Sequence, residues 1–319
     1  MYEGDKGEPD VVDEKKVGAD EKKKEAWKPE GKQWLGKSFN AREDDETPHN
    51  ISVELVARRL ASLDHFSMYL AAPRRSGKTY FIKHMLYHLD TLKREEGGSG
   101  YDAVFLFSGT AHKNQFSMIS RLYQYDDWTD AEAKIIDDLL DRQQEIIQHN
   151  SECTEEGEKK PVPNILIILD DVLGQAGNLY QGRRSRTLQA LFFRGRHLQV
   201  SQIIILQLLK GFTRVRSNSD MLVVWRSPSY VERKDLIDAH MTAESTNPES
   251  RRAAERFYEK CFQSKHHCCI IDLAGSHGCR NIQQYCYSCV APEFDMQDDE
   301  HGYAPFGMGP EHHWTDQAN

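Results

Sequence analysis

Short, uninterrupted runs of apolar residues recur along the chain and predict buried strands. These runs are FSMYLAA, DAVFLFSG, NILIILDD, SQIIILQ, DMLVVWR and HHCCIIDLAG, which begin at residues 66, 102, 164, 201, 220 and 266. A strand that is apolar on both faces is typical of a parallel sheet that helices cover on both sides.

Between these runs, apolar residues recur at helical spacing and predict the connecting helices. One helix is predicted in ISVELVARRLASL, a second from Phe81 to Leu92, a third from Ala131 to Ile147 and a fourth around LQALFF. The third is amphipathic, and Ala131 begins its apolar face. The alternation of strands and helices predicts an α/β fold, with a mostly parallel sheet and helices on both faces.

The polar ends of the chain set the predicted domain boundaries. Residues 1–34 mix Lys, Glu, Asp and Gly with few apolar side chains, so they are predicted to be a disordered charged tail. Residues 35–290 form the predicted folded domain, in which SECTEEGEKKPVP is a surface loop. Residues 291–319 are predicted to be a polar C-terminal tail.

Composition narrows the class of protein. The 41 Lys and Arg residues and 50 Asp and Glu residues give a formal net charge of −9, so any contact with DNA has to come from a local basic patch. The chain has no long apolar run, which predicts that it has no membrane span, and its N-terminus has no apolar signal region. Its seven cysteines are scattered and odd in number, which favours a reduced, intracellular setting.

The stretch APRRSGKT, at the end of the first apolar run, resembles a phosphate-binding loop. The usual pattern is G-x-x-x-x-G-K-[ST], and Ala72 stands at its first position. Gly77 would let the backbone approach phosphate oxygens, Lys78 would reach the β- and γ-phosphates of ATP, and Thr79 would ligate Mg²⁺. The required context, a strand before the loop and a helix after it, is present. The predicted nucleotide-binding residues are Ala72, Pro73, Arg74, Arg75, Ser76, Gly77, Lys78, Thr79 and Tyr80.

Two adjacent carboxylates, Asp170 and Asp171, end the strand ILIILDD. A buried strand ends in this way where the carboxylates meet water, a metal or a cation. At the carboxyl edge of a parallel sheet they would face the phosphates. Asp170 is therefore predicted to hold Mg²⁺, and Asp171 to orient or deprotonate the attacking water. The alternative is that the pair caps the following turn, DDVLGQAG.

Gln207 ends the strand SQIIILQ and is predicted to hydrogen-bond the γ-phosphate or the attacking water, because open α/β sheets bind ligands at the carboxyl ends of their strands. The alternative is an ordinary amide at the end of a strand.

Several arginines are candidates for a cation that a neighbouring subunit supplies to neutralise charge in the transition state. Arg196 is the first choice and Arg194 the second. The alternative is a solvated basic face or a patch that binds DNA phosphates. The further candidates are Arg183, Arg184 and Arg186, with Arg74 and Arg75 acting within their own chain.

The stretch KHHCCIIDLAGSHGCRNIQQYCYSC is rich in Cys and His. His277, Cys279, Cys286 and Cys289 have a tolerable ligand spacing for zinc. Only Cys286 and Cys289 form a C-x-x-C pair, and the alternation in QQYCYSCVAP suits a strand. Buried free thiols are therefore preferred to a zinc site.

In their order and spacing, APRRSGKT, ILIILDD, FFRGRHLQVSQIIILQ and DMLVVWR resemble viral genome-packaging ATPases of poxviruses, giant viruses and polinton-like elements, in the FtsK–HerA branch of P-loop motors. The match runs from about Phe66 to Asp272, and GRH at 195–197 is its most discriminating part. The resemblance implies a RecA-like core and a ring, pentamer or hexamer, that pumps double-stranded DNA into a capsid. It also implies capsid vertex proteins as partners and action at the virus assembly site in the host cell, with a possible place in the virion.

The resemblance carries roles over residue by residue. It gives Arg196 the role of an arginine finger, and it assigns the nucleotide chemistry to Lys78, Thr79, Asp170, Asp171 and Gln207. Many relatives in this branch have Glu where Asp171 stands, although packaging members often have Asp-Asp. The shorter side chain would need an extra water.

Four alternative functions each call for particular sequence features. PRRSGKT also resembles the loop of terminase large subunits, but those carry a C-terminal nuclease with clustered carboxylates, and the short stretch after Asp272 holds no such cluster. A helicase would need further motifs coupled to strand binding, and a small-molecule kinase would need an arginine-rich lid. A nucleotide-binding assembly scaffold would not need Asp171, Gln207 and a candidate finger together.

Overall fold

The structure is a computed structural model that describes residues 47–95, 100–109, 121–171, 182–207, 218–242, 248–264, 266–276, 279 and 281–290. The predicted tails, 1–34 and 291–319, lie outside the described residues, and so does His277. No helix in the described ranges is long and apolar enough to cross a membrane.

Within these residues, one sheet contains nine strands in the order β1-β9-β8-β7-β2-β6-β5-β3-β4. The six apolar runs all form strands, and so does the alternating segment at the C-terminal end, as predicted. The strands are β1 (His49–Ile51), β2 (Ser67–Ala71), β3 (Ala103–Ser108), β4 (Leu122–Tyr125), β5 (Ile165–Asp170), β6 (Val200–Leu206), β7 (Met221–Trp225), β8 (His267–Asp272) and β9 (Cys286–Val290).

Six α-helices connect the strands in the described part of the chain. The four predicted helices are confirmed, whereas the fifth and sixth were not predicted, because their sequences, YVERKDLIDAH and PESRRAAERFYEK, are largely charged. The helices are α1 (Val53–Ala61), α2 (Lys78–Glu95), α3 (Asp130–Glu152), α4 (Gly182–Arg194), α5 (Tyr230–His240) and α6 (Pro248–Lys260).

The sheet is mostly parallel, as the apolar runs predict. Strands β7, β2, β6, β5, β3 and β4 all run in the same direction. Strand β8 is antiparallel to both of its neighbours, β7 and β9, and β1 is parallel to β9. Because β8 is reversed, it begins at the edge of the sheet where β7 and β2 end.

Helices cover both faces of the sheet. Tyr69 and Ala71 of β2 belong to a core that includes buried residues of α3, α4, α5 and α6. Leu70 lies between them and is also fully buried, so it faces the opposite side of the sheet. On that side, Phe81 of α2 places its ring edge-on to Trp225, with 5.6 Å between the centroids. Burial on both faces accounts for the absence of polar alternation in the central strands.

The apolar face of α3 differs from the predicted one. Ala131 is exposed, and the side chain of Thr129 caps the helix there by accepting a hydrogen bond from the Ala131 backbone N–H. Gln143 is buried instead, since its amide donates to the carbonyl oxygens of Pro163 at 2.7 Å and Leu198 at 3.1 Å. A buried polar side chain with satisfied hydrogen bonds is compatible with a core, but an apolar pattern does not reveal it.

Candidate active site

Three neighbouring parallel strands, β2, β6 and β5, end at the same level of the sheet. Ala71 is paired with Leu206, and Asp170 is paired with Ile205. The backbone N–H of Ala72 donates to the carbonyl of Leu206 at 2.9 Å, and that of Asp171 donates to the carbonyl of Ile205 at 3.0 Å. The segments that carry the predicted phosphate loop, the two carboxylates and Gln207 therefore leave the sheet side by side.

The phosphate loop turns sharply between β2 and α2. Gly77 has φ = 95°, a conformation that favours glycine, and Arg75 has φ = 59°, which costs a non-glycine residue ~1–2 kcal/mol. The backbone N–H of Phe81 donates to the carbonyl of Gly77 at 3.0 Å and closes the first turn of α2. The loop thus leads directly into the amino end of α2, where the helix dipole favours an anion.

The loop places its side chains in two environments. Ala72 and Ser76 are buried, whereas Arg74, Arg75 and Tyr80 are exposed. The Ser76 hydroxyl is buried without a hydrogen-bond partner among the described residues. A buried hydroxyl of this kind fits a ligand that brings its own oxygens, such as a phosphate chain.

Lys78 and Asp170 lie close to each other at the base of the loop. The Lys78 ammonium is 3.5 Å from Oδ1 of Asp170, and the side chain of Asp170 is only 7% exposed. The Ser108 hydroxyl, at the end of β3, donates to Oδ2 of the same carboxylate at 3.1 Å. A cation suited to phosphate oxygens and a carboxylate suited to Mg²⁺ therefore lie next to each other, and Thr79 lies in the first turn of α2.

Asp171 and Gln207 form a second pair at this edge. The Gln207 amide donates to Oδ2 of Asp171, so the end of β6 holds the carboxylate at the end of β5. Asp171 has φ = 59°, a left-handed conformation that Asp tolerates better than most residues. The sequence predicts a ligand for Gln207 but does not predict this contact.

His266 also touches the loop, although sequence reasoning did not select it. Its Nδ1 lies 3.3 Å from the carbonyl oxygen of Ser76. A Cβ atom added at Gly77 would lie 3.4 Å from the same Nδ1. His266 comes just before β8, so only the reversed direction of that strand brings it to this edge, and the apolar pattern of β8 carries no information on direction.

Arg196 lies at the opposite edge of the sheet from its own phosphate loop. It belongs to the 3-10 turn Gly195–Leu198, which leads into the amino end of β6. Its guanidinium donates to Oδ1 of Asp220 at 2.7 Å, and the backbone N–H of Ser67 donates to Oδ2 of that carboxylate at 2.7 Å. The structure therefore does not bring Arg196 together with Lys78 in the same chain.

The candidate arginines outside the phosphate loop, other than Arg196, lie on α4. Arg183 and Arg186 are exposed near the start of the helix, and Arg194 is exposed at its end. Arg184 lies 3.7 Å from the carboxylate of Asp130. Arg183 and Arg194 line a groove of about 280 Å³ together with carboxylates of α3, so part of this surface is mixed in charge rather than purely basic.

The cysteines of the C-terminal stretch lie mainly in strands. Cys286 and Cys289 are buried on β9, and Cys268 on β8 donates to the carbonyl of Cys289. Burial raises the pKa of the Cys286 thiol well above its ordinary value, which disfavours the thiolate that zinc needs. In the part of the chain that the structure describes, no group of three or more His, Cys, Asp or Glu residues is arranged to hold a metal.

The amino-acid sequence of the chain is similar to those of known proteins. A family model described as Poxvirus A32 protein matches residues 54–289. An uncharacterised protein of Acanthamoeba polyphaga mimivirus is 25% identical over 209 residues, which are 65% of this chain and 66% of that protein. The chain thus spans just under two thirds of the length of this curated relative.

Solved structures that are similar to this chain are also found. The pCW3 conjugation coupling protein TcpA, in its monomer form with ATPγS, superposes with a TM-score of 0.51 at 14% identity, over 76% of this chain and 64% of TcpA. The genome packaging NTPase B204 of Sulfolobus turreted icosahedral virus 2, in complex with ATPγS, gives a TM-score of 0.43 at 12% identity, over 70% of this chain and 96% of B204. The likeness to TcpA shows a shared α/β fold.

Proposed function

Because this chain belongs to the poxvirus A32 protein family, we propose that it hydrolyses ATP and uses the energy to move double-stranded DNA into a preformed capsid. One observation carries the proposal. The ends of β2, β6 and β5 bring Lys78 to 3.5 Å from Asp170 and, beside them, the Gln207 amide to Asp171. These are the groups that phosphoryl transfer to water requires: a cation, a metal-binding carboxylate and a positioned carboxylate.

The binding of ATP is assigned to the loop and to the amino end of α2. Backbone N–H groups of the loop would hold the phosphates, and Lys78 would contact the β- and γ-phosphates. Thr79 and Asp170 would hold Mg²⁺, which when bound would neutralise negative charge that develops on the phosphates. When ATP binds, the Lys78 ammonium would move part of its electrostatic interaction from the Asp170 carboxylate to the phosphate oxygens. The exposed loop residues Arg74, Arg75 and Tyr80 border the site and would contact the outer part of the nucleotide.

Hydrolysis is assigned to Asp171 with Gln207. Asp171 would orient and deprotonate the attacking water, since a fixed carboxylate beside the γ-phosphate is the usual base in this chemistry. Gln207 holds Oδ2 of Asp171 through its amide and leaves Oδ1 available for the water. The carbonyl oxygen of the amide can accept a hydrogen bond from the water, and the second N–H of the amide can donate to a γ-phosphate oxygen. Gln207 thus serves as the link between the metal-binding strand and the strand beside the loop.

The arginine finger that completes each site is assigned to the neighbouring subunit. Arg196 lies at the amino edge of the sheet, so it can reach phosphates only in another chain. Its side chain is 42% exposed despite its ion pair with Asp220, which leaves part of the guanidinium accessible to a partner. A ring of five or six copies would supply such a contact at each boundary, and hydrolysis in one subunit could then be coupled to the next.

The proposed partners follow from the family. They are double-stranded DNA, further copies of this chain, and capsid vertex proteins at the virus assembly site. A net charge of −9 requires that DNA contacts come from local basic surface, for which the exposed arginines of α4 are candidates. The alternatives are a helicase-like or terminase-like ATPase and a non-hydrolysing scaffold. The following experiment separates the helicase and the scaffold from the proposed function.

The first test is ATP hydrolysis by the purified chain with and without DNA. We expect turnover that double-stranded DNA stimulates more than single-stranded DNA. Lys78→Ala should reduce the rate by at least about 100-fold, since the phosphates lose their main cation. Greater stimulation by single strands would favour a helicase. An absence of turnover with any DNA, combined with normal ATP binding, would favour a scaffold.

A second test separates the two carboxylates. Asp171→Asn keeps a side chain that tolerates the left-handed backbone, so it should bind Mg²⁺ and ATP normally and hydrolyse about 100-fold more slowly. Asp170→Asn should instead weaken Mg²⁺-dependent binding of ATP. Equal binding defects and equal rates in the two variants, measured by titration calorimetry and phosphate release, would show that the roles are assigned incorrectly.

A third test concerns Arg196. Arg196→Ala alone should bind ATP but lose about 1000-fold in hydrolysis, whereas Arg142→Ala, which removes an exposed arginine of α3, should not. Mixing Arg196→Ala with Lys78→Ala should restore part of the activity, because one chain offers an intact arginine to the intact loop of another. A mixture that forms rings and stays inactive would assign Arg196 to DNA or to the fold.

A further inference from the structure

We infer that His266 is a positioning residue for nucleotide binding: it fixes the peptide between Ser76 and Gly77 so that the Gly77 N–H faces the phosphate site. The inference rests on the proposed function and adds a residue that the sequence motifs do not contain. It depends on one contact, from His266 Nδ1 to the Ser76 carbonyl oxygen at 3.3 Å.

The direction of this hydrogen bond follows from the chemistry of the two groups. A carbonyl oxygen only accepts, so the proton must be on Nδ1 of His266 and the histidine must donate. The neighbouring His267 is held in the other tautomer, because its Nδ1 accepts from the backbone N–H of Ser264 at 3.1 Å. That bond closes the turn before β8 and fixes the segment from which the His266 ring extends to the loop.

The planarity of the peptide bond transmits the contact to the phosphate site. In a trans peptide, the carbonyl oxygen of one residue and the N–H of the next point in opposite directions. When His266 holds the Ser76 carbonyl on its side of the loop, the Gly77 N–H is directed to the other side. A loop that cradles phosphates needs its N–H groups directed inward, so the histidine fixes one donor of the cradle.

The loop needs such an external contact, because its own conformation is not the preferred one. Arg75 has φ = 59° and Gly77 has φ = 95°, and glycine can rotate between several backbone regions at little cost. A Cβ at Gly77 would lie within 3.4–3.8 Å of His266, so the ring packs directly against the peptide that it holds. Without the ring, this peptide would be free to turn and would present its carbonyl oxygen, which repels phosphate.

The test compares His266→Ala with His266→Asn in the full chain. The amide nitrogen of Asn lies where Nδ1 of His does, so Asn can still donate to Ser76, whereas Ala cannot. His149→Ala is the matched control, because His149 lies in the last turn of α3 and contacts Cys153. The dissociation constant of a non-hydrolysed ATP analogue is measured by calorimetry, and KM and kcat for ATP are measured separately.

We expect His266→Ala to raise the dissociation constant and KM by about 3- to 10-fold, the effect of losing one hydrogen bond, while kcat changes less than about two-fold. His266→Asn and His149→Ala should stay within about two-fold of the wild type. Amide hydrogen exchange of a peptide spanning 72–80 should be faster in His266→Ala alone. Hydrogen exchange does not depend on ATP turnover, so it tests the contact even if the alanine variant loses activity for another reason.

Three results would overturn the inference. Unchanged binding and exchange in His266→Ala would show that the contact has no role in the loop. Equal weakening in the Ala and Asn variants would show that the hydrogen bond is not the cause. A loss of kcat with unchanged binding would place His266 at the reacting phosphate instead. If the wild-type chain bound no nucleotide while folded, the proposed function itself would be wrong, and this inference would fall with it.

Discussion

The site depends on the parallel register of β2, β6 and β5. Parallel strands place all their carboxyl ends at one edge of a sheet, and here the pairing of Ala71 with Leu206 and of Asp170 with Ile205 brings three such ends to one level. The loop, the carboxylates and Gln207 are far apart in sequence and meet only because of this register. A shift of a single residue in β6 would move Gln207 away from Asp171 and turn every side chain of the strand to the other face.

At this edge of the sheet, contacts with neighbouring polar groups offset the free-energy cost of burying a carboxylate. Asp170 is almost completely buried, and burial of a lone carboxylate is strongly unfavourable, so Lys78 and Ser108 stabilise it. Arg75 and Asp171 both adopt left-handed backbone, which costs Arg75 ~1–2 kcal/mol and costs Asp171 less, because Asp tolerates this conformation better. The opposite edge has the same features, because Gln199 there also has φ = 57° and the buried carboxylate of Asp220 is paired with Arg196.

Much of the fold was predictable from sequence, because the strands that are buried on both faces have long apolar runs. The family match confirms the resemblance to viral genome-packaging ATPases that the motifs suggested. Helices α5 and α6 were missed because they bury few residues, such as Leu236 and Phe257, on otherwise charged surfaces. The role of His266 could not be read from its neighbours in sequence. Its contact with the loop depends on the antiparallel direction of β8, which is a property of the sheet as a whole.

The most direct test of the account is whether the chain moves along double-stranded DNA. A third strand bound to a duplex reports movement, because a translocating protein displaces it without separating the duplex. The account predicts displacement that requires ATP, that occurs with the wild-type chain, and that is lost with Lys78→Ala. Displacement without ATP, or ATP hydrolysis by the wild type with the third strand left in place under all conditions, would contradict the assignment of this site to a DNA motor.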